Sequence, residues 1–155
     1  MMNTDRNTPS ANDIERANRL MEIIDDIHEV NKDTPVIVEG KKDASALRSL
    51  GLEGNIVTLH NGKNLYEFCD DIKSRFEKVI LLPDWDRTGD TLYRTLSENL
   101  TGHWEEFASF RDILKILCQK DIHAIEGLPK LIMRLQGSDS PRSTPFSIED
   151  ISVDQ

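Results

Sequence analysis

Cysteines, aromatic residues and long apolar runs are all scarce in this sequence. Cys69 and Cys118 are the only cysteines among 155 residues, and the four histidines are scattered without the spacing of a zinc site. We therefore expect two reduced cysteines in the core. No apolar run approaches the ~18 residues of a membrane span, and the first ten residues are polar. These absences predict a cytoplasmic protein with neither a membrane segment nor a signal peptide.

An excess of basic residues is also lacking, because the formal net charge is −9. The segment 1–34 carries a net charge of −4 and the segment 137–155 a net charge of −3, which leaves residues 35–136 nearly balanced at −2. The acidic flanks argue against tight, sequence-independent binding of long duplexes, which requires a basic surface. They do not exclude a polyanionic substrate at a local site in the balanced segment.

Short apolar runs alternate with helical patterns through the middle of the chain, which is typical of βαβ units and a parallel sheet. We divide the sequence into a polar N-terminus with an amphipathic helix (1–34), an α/β domain (35–136) and a flexible acidic tail (137–155). Ser10 or Asn12 is expected to cap the first helix, which runs to about Val30. The further predicted elements are strands 35–39, 55–59, 78–82 and 122–125, and helices 42–50, 64–76, 89–100, 104–118 and 128–135.

Carboxylates follow two of these predicted strands. Asp84 and Asp86 come directly after the run Val-Ile-Leu-Leu-Pro at 79–83, and Glu39 follows the run Val-Ile-Val at 36–38. In an open α/β sheet, ligands bind outside the carboxyl ends of the strands. If the two strands are neighbours, the three acids converge, and their mutual repulsion favours a bound cation. Hard carboxylate oxygens suit Mg²⁺.

The pairing of Glu39-Gly40 with Asp84-Trp85-Asp86, in this order, resembles the Toprim domain of topoisomerases, bacterial primases, small RNA maturases and some nucleases. It looks closest to the short archaeal Toprim proteins that contain little else, and it covers about residues 35–136. The resemblance implies a Toprim-like, Rossmann-like parallel sheet of about four strands, with helices on both faces and an added N-terminal helix. It also implies that Glu39, Asp84 and Asp86 are metal ligands and catalytic residues.

In Toprim families the first acid ligates metal and takes part in proton transfer, and the Asp-x-Asp pair ligates one or two Mg²⁺ ions, with Mn²⁺ as a substitute. The resemblance therefore implies action on phosphodiester bonds of RNA or DNA, of the nuclease or nucleotidyl-transfer type, at ends or short structured segments. Nearby residues fill two supporting sets. Candidate phosphate-binding bases are Lys41, Lys42, Lys63 and Arg87, and candidate outer residues around the metal are Asp90 and Glu126, each with a structural alternative.

Several departures limit these implications. Topoisomerases of this class need a tyrosine nucleophile from another domain, whereas Tyr66 and Tyr93 both fall in predicted core helices, and the zinc-binding segment of bacterial primases is missing. Strand passage and complete primer synthesis are therefore not expected of this chain alone. What remains is a nuclease, a nucleotidyl-transfer enzyme or a non-catalytic, metal-dependent nucleic-acid-binding subunit.

Two further alternatives stay open. Residues 84–88 also satisfy D-x-D-x-T, the nucleophile loop of haloacid-dehalogenase-type phosphatases, in which the first Asp is phosphorylated. That family places the motif on its first strand, and it leaves Glu39-Gly40 unexplained. In addition, the apolar stripe of the N-terminal helix predicts packing either on the sheet or on a partner, so a homo-oligomer or a protein partner is an open expectation.

Overall fold

The computed structural model describes residues 9–59 and 64–137. Within them lies a mixed α/β fold, as the alternating pattern predicts, with six α-helices and three short strands. In chain order these are α1 (Ala11–Asn31), β1 (Val36–Val38), α2 (Lys41–Ser49), β2 (Ile56–Thr58), α3 (Leu65–Arg75), β3 (Ile80–Leu81), α4 (Arg87–Asn99), α5 (Ala108–Cys118) and α6 (Leu128–Leu135).

The three strands form a parallel sheet in the order β2-β1-β3. In its register, Val36 lies opposite Ile56 on one side and opposite Ile80 on the other. The carboxyl ends of β1 and β3 therefore lie side by side at one sheet edge. This neighbourhood brings the residues after Val38 close to the residues after Leu82, which is the condition that the sequence argument required.

Helices cover both faces of the sheet, as predicted. Side chains alternate between the two faces of a strand, so Val36 and Val38 join one apolar cluster and Ile37 joins the other. The first cluster packs against α1, α2, α5 and α6, and the second against α3 and α4. The N-terminal helix thus packs within the domain core. Cys69 and Cys118 are free and buried, one in each cluster.

Ser10 caps α1 with a reciprocal hydrogen-bond pair. Its hydroxyl accepts from the backbone N–H of Asp13, and the Asp13 carboxylate accepts from the backbone N–H of Ser10. Such a pair satisfies two of the donors that a helix N-terminus leaves without partners. The predicted cap at Ser10, and with it the start of the first helix, is therefore confirmed. The remaining helix ends fall within a few residues of their predicted places, and a 3₁₀ turn at Glu105–Phe107 precedes α5.

The prediction of a fourth strand at 122–125 is wrong. A strand needs a ladder of consecutive backbone bonds. The described structure shows one such bond here, from the N–H of Trp85 to the carbonyl of His123 at 3.0 Å. The chain then turns through a 3₁₀ segment at Ile125–Gly127. The backbone N–H groups of that turn contact the carboxylates of Asp84 and Asp43.

Candidate metal and phosphate site

The acids predicted from the two strand ends lie together at the edge of the sheet. Glu39 follows β1, and Asp84 follows β3 after Pro83. The carboxylate Oε2 of Glu39 accepts a hydrogen bond from the backbone N–H of Asp84 at 2.9 Å. A direct bond therefore joins the two strand ends. Asp86 is exposed, Glu39 is half-buried and Asp84 is buried, so the acids run from solvent into the fold.

Asp84 is electrostatically the most strained residue of this edge. Burial, as the main cause, and the neighbouring charges of Asp43, Glu39 and Asp86 together raise its pKa to about 7, although a hydrogen bond from the N–H of Ile125 acts in the opposite direction. That bond runs to Asp84 Oδ1 at 3.0 Å. A buried carboxylate surrounded by other acids favours either a proton or a cation. The arrangement therefore has the electrostatics expected of a cation site.

Asp43 is a fourth acid of the site that was not predicted from the sequence. It is 5% exposed and lies in the first turn of α2, where its carboxylate accepts from the N–H of Gly40 at 3.2 Å and from the N–H of Glu126 at 3.1 Å. Burial raises its pKa. The signal was available, because Asp43 stands three residues after the cap position of a helix that begins beside Glu39.

The 3₁₀ turn at Ile125–Gly127 holds two of these acids from the far side. Consecutive backbone N–H groups donate to them, that of Ile125 to Asp84 and that of Glu126 to Asp43. Successive N–H groups that point the same way create a local positive potential. The turn thus compensates part of the acidic charge that β1 and β3 bring together.

Asp86 begins α4. Its Oδ1 accepts from the backbone N–H of Gly89 at 2.7 Å, which is a helix-capping bond. A Cβ atom on Gly89 would lie 1.9 Å from the carbonyl oxygen of Asp84, so the turn has room only for glycine. Both features fix the backbone between Asp84 and Asp86. Trp85 points away from them: it is 4% exposed, and its indole N–H donates to the carbonyl of Ile122 at 2.8 Å. Trp85 is therefore a packing residue of the core.

Arg111 of α5 is a second residue that the sequence argument missed. Its side chain is 4% exposed. The guanidinium donates to the carbonyls of Pro83 at 2.9 Å and Asp84 at 2.5 Å, and to Asp90 Oδ1 at 2.8 Å, and it stacks on the Tyr93 ring at 4.3 Å. An arginine on the same helical stripe as buried apolar residues is the sequence signal for such a role, because a buried charge requires partners.

The predicted bases lie around the edge to different degrees. Lys41 and Lys42 occupy the first turn of α2, are exposed, and line a shallow cavity of about 420 Å³ together with Glu126. Arg87 is the exposed first residue of α4, directly after Asp86. Lys63 lies outside the described residues. The described bases therefore flank the acids on two sides and face solvent.

The two predicted outer acids behave differently from each other. Asp90 forms ion pairs with Arg111 at 2.8 Å and Lys115 at 3.8 Å, so it is coupled to the Asp84 turn through the guanidinium. Glu126 is exposed, and its charge raises the pKa of Asp43. The backbone N–H of Glu126 is the group that contacts the acid cluster.

The chemistry of the donors fits a hard divalent cation, since carboxylate oxygens from Glu39, Asp84 and Asp86 share one edge and Asp84 is desolvated. Backbone donors engage one oxygen of Asp84 and one of Asp86, which leaves a second oxygen on each carboxylate. However, within residues 9–59 and 64–137, no three His, Cys, Asp or Glu side chains form a ready-made metal-binding group. The side chains of the cluster must move to share an ion.

Comparisons with known proteins agree with this architecture. A family model described as "Toprim domain" matches residues 34–115. The chain belongs to the Toprim domain family. The matched Toprim region contains the sheet and the acids of both strand ends, but it stops before the 3₁₀ turn that holds Asp43 and Asp84. Toprim domains bind divalent metals such as Mg²⁺ and have nucleic-acid-related functions, and the assignment confirms the α/β fold.

Similar proteins include several from archaea and one from Aquifex aeolicus. The UPF0292 protein of Methanosarcina barkeri is 32% identical over 127 residues, covering 78% of this chain and 85% of the relative. The UPF0292 protein of Pyrococcus horikoshii is 35% identical over 123 residues, covering 79% and 90%. A solved structure of an Aquifex aeolicus protein is 32% identical, with a TM-score of 0.57, and covers 69% of this chain and 95% of that one. These matches confirm the expected likeness to short Toprim proteins.

None of the helices in the described part of the chain has the length and apolarity needed to cross a lipid bilayer.

Proposed function

We propose that this Toprim protein acts on phosphodiester bonds of RNA or DNA with Mg²⁺, or Mn²⁺ in its place, as a nuclease or a nucleotidyl-transfer enzyme. The observation that carries the proposal is the buried Asp84, whose pKa is raised to about 7 beside Glu39, Asp43 and Asp86. Perturbed acids at the carboxyl edge of a parallel sheet mark a functional site. Membership of the Toprim family supports the substrate class.

In this proposal Glu39, Asp84 and Asp86 hold one or two Mg²⁺ ions. Bound Mg²⁺ would polarise the phosphorus centre and stabilise the charge of the attacking and leaving oxygens. Glu39 also moves a proton to or from the reacting oxygen, because it is half-buried and held in place by the Asp84 N–H. Asp84 needs no change of backbone to act, since Arg111 and Gly89 fix the turn that carries it.

Cationic side chains on the rim orient the substrate. Lys41 and Lys42 stand on one side of the acids and Arg87 on the other, and all three are exposed. Phosphates that bridge the two sides would place the bond between them over the acid cluster. From the sequence alone, Lys63 stays a further candidate for phosphate binding. The acidic balance of the chain favours ends or short structured segments over long duplexes.

One observation favours a second candidate function. Because the described acids do not form a ready-made metal group, metal binding requires rearrangement or ligands from the substrate. A subunit that binds Mg²⁺ and nucleic acid together, without cleavage, would have the same property. Nothing in the structure favours the D-x-D-x-T phosphatase, and its motif is here the Asp84–Asp86 turn of a Toprim sheet.

Cleavage of single-stranded, nicked and duplex RNA and DNA oligonucleotides in Mg²⁺ and Mn²⁺ tests the proposal. We expect metal-dependent turnover that falls by at least about a hundredfold in Glu39→Gln and in Asp84→Ala, since both remove a ligand of the reacting centre. Glu53→Gln is the matched control and keeps full activity, because Glu53 is exposed and precedes β2, at the end of the sheet opposite to the acids. Equal turnover in EDTA contradicts the mechanism. Metal-dependent oligonucleotide binding without turnover supports the non-catalytic subunit.

A further inference from the structure

An exposed apolar ridge lies on the side of the molecule formed by α1 and α5. Ile116 is 70% exposed, the highest value among the large apolar side chains of the described residues, and Ile113 one turn earlier is 38% exposed. Burying a large apolar side chain contributes about 1.5–3 kcal/mol. Two such side chains one turn apart form a small apolar patch, which makes this face a candidate contact surface.

The ridge separates two cavities between the helices. One, of about 390 Å³, lies beside Ile113 and is rimmed by Arg19, Glu22 and Asp26. The other, of about 370 Å³, lies beside Lys120, Arg16 and Asp121. Ile116 lines both cavities. A protruding side chain next to a hollow of side-chain size is the arrangement that a two-fold contact requires, because each copy can fill the hollow of the other.

The charges along this face are reversed from one end to the other. Asp112 is exposed and precedes Ile116 by four residues. At the cavity beside Ile113, Arg19 is already paired with Glu15 at 3.3 Å, which leaves Glu22 and Asp26 as the acids without an ion pair among the described residues there. Lys120 follows Ile116 by four residues and lies at the other cavity. At that second cavity Arg16 is already paired with Asp121 at 2.6 Å, which leaves Lys120 as the base without an ion pair among the described residues there.

We propose that this face is the interface of a homodimer, in which α5 of one copy packs antiparallel on α5 of the second across Ile116. The antiparallel arrangement follows from the charges. Reversing the helix places Lys120 of the second copy opposite Asp112 and the acidic rim of the first, and the same contact recurs on the other side of the two-fold axis. A parallel arrangement would place acids on acids.

The acidic edge with Glu39, Asp84 and Asp86 stays open in this dimer. Arg111 points inward to the Asp84 turn, whereas Asp112 and Ile116 on the same helix face solvent. The inference is therefore independent of the proposed chemistry.

Sedimentation equilibrium of the full chain between about 1 and 200 μM tests the dimer. We expect a mass approaching twice 17.7 kDa. Ile116→Asp should raise the dissociation constant at least about tenfold, because it places a charge at the centre of an apolar contact. Tyr66→Asp is the matched control, since Tyr66 is 64% exposed on α3, and it should leave the mass unchanged. Circular dichroism verifies that each variant is folded.

Charge reversal tests the orientation of the helices. Lys120→Glu should weaken the dimer at least about tenfold by placing like charges together. Combining it with Glu22→Lys and Asp112→Lys should restore the dissociation constant to within about threefold of the wild type. A chain that remains monomeric at every concentration overturns the proposal, and so does a dimer that Ile116→Asp leaves intact. A dimer that the combined variant fails to restore overturns the antiparallel arrangement.

Discussion

The carboxylate of Asp84 is both buried and surrounded by other acids, so its charged form is unfavourable in the folded state. It lies 8% exposed between three other acids, and its raised pKa shows that the folded state holds a proton more tightly than the unfolded chain. Its position between the strand end and the 3₁₀ turn leaves two ways to relieve the conflict, a proton or a cation. Stability should therefore depend on both pH and metal.

We predict that the metal-free protein loses stability as pH rises from about 4 to about 7. The folded pKa of Asp84 is about 7 and the ordinary value is 3.8, so the folded state binds more protons in this window and stability falls with rising pH. The penalty is fully present above pH 7, on the order of 2 kcal/mol after allowance for solvent screening. Asp84→Asn keeps an oxygen for the Ile125 N–H and should remove most of the penalty.

Chemical denaturation of both proteins in EDTA at several pH values measures this effect. The variant should be more stable than the wild type at pH 8, and the difference should shrink below pH 5. A difference that is constant across this range would show that ionisation of Asp84 is not its cause.

At the scale of elements, the site depends on segments that bear no predicted ligand. The turn after β3 is held by Arg111 from α5, and Asp43 and Asp84 are held by the 3₁₀ turn before α6. Neither element belongs to the sheet. The arrangement of the acids is therefore set jointly by the strand ends and by two later segments.

We predict that Arg111→Lys weakens Mg²⁺ binding more than it weakens the fold. A lysine can form one of the two carbonyl bonds but lacks the planar fork that makes both, so the Asp84 turn loses its fixed position. The apparent Mg²⁺ dissociation constant, measured by calorimetry, should rise about tenfold. Lys115→Met removes only the longer contact to Asp90, at 3.8 Å, and should change the apparent Mg²⁺ dissociation constant less than about twofold. Unchanged affinity in folded Arg111→Lys would give Arg111 a purely structural role.

The elements of the sheet could be predicted from the sequence, whereas the contacts made by the later segments could not. Hydrophobic alternation predicted three strands and the two-faced helical cover, because those patterns report burial directly. The run Ile122–Ile125 was wrongly predicted to be a strand, because a short apolar segment does not reveal whether another strand lies beside it to share backbone hydrogen bonds. The sequence indicates a helix cap at Asp43 and a partnered buried charge at Arg111, but not their place at the site, because that place comes from contacts 83 and 27 residues away along the chain. The site assignments of Glu39, Asp84 and Asp86 stay predictions.

At the scale of the whole molecule, metal binding should appear as stability. Mg²⁺ that binds the folded state alone stabilises it by RT ln(1 + [L]/Kd), about 2.7 kcal/mol at a hundredfold excess over Kd. For a chain of this size the melting temperature should rise by roughly 5–10 °C. Asp84→Asn should lose most of this rise, because the variant has one charge fewer at the edge.

Differential scanning fluorimetry in millimolar Mg²⁺, Mn²⁺ and EDTA provides the measurement, with Ca²⁺ as a comparison for ion size. An equal rise in Asp84→Asn would place the responsible ion elsewhere on the protein. No rise in the wild type would limit the Toprim assignment of this chain to its fold.

The Ile125 and Glu126 N–H groups that hold two of the acids are synthesised after all four of them. Glu39, Asp43, Asp84 and Asp86 all leave the ribosome before the 3₁₀ turn that holds two of them. A nascent chain that ends before Ile122 contains every acid of the edge and lacks both donors. It would meet cellular Mg²⁺ with a loose, solvated cluster, and the buried Asp84 would arise only when the last helix packs.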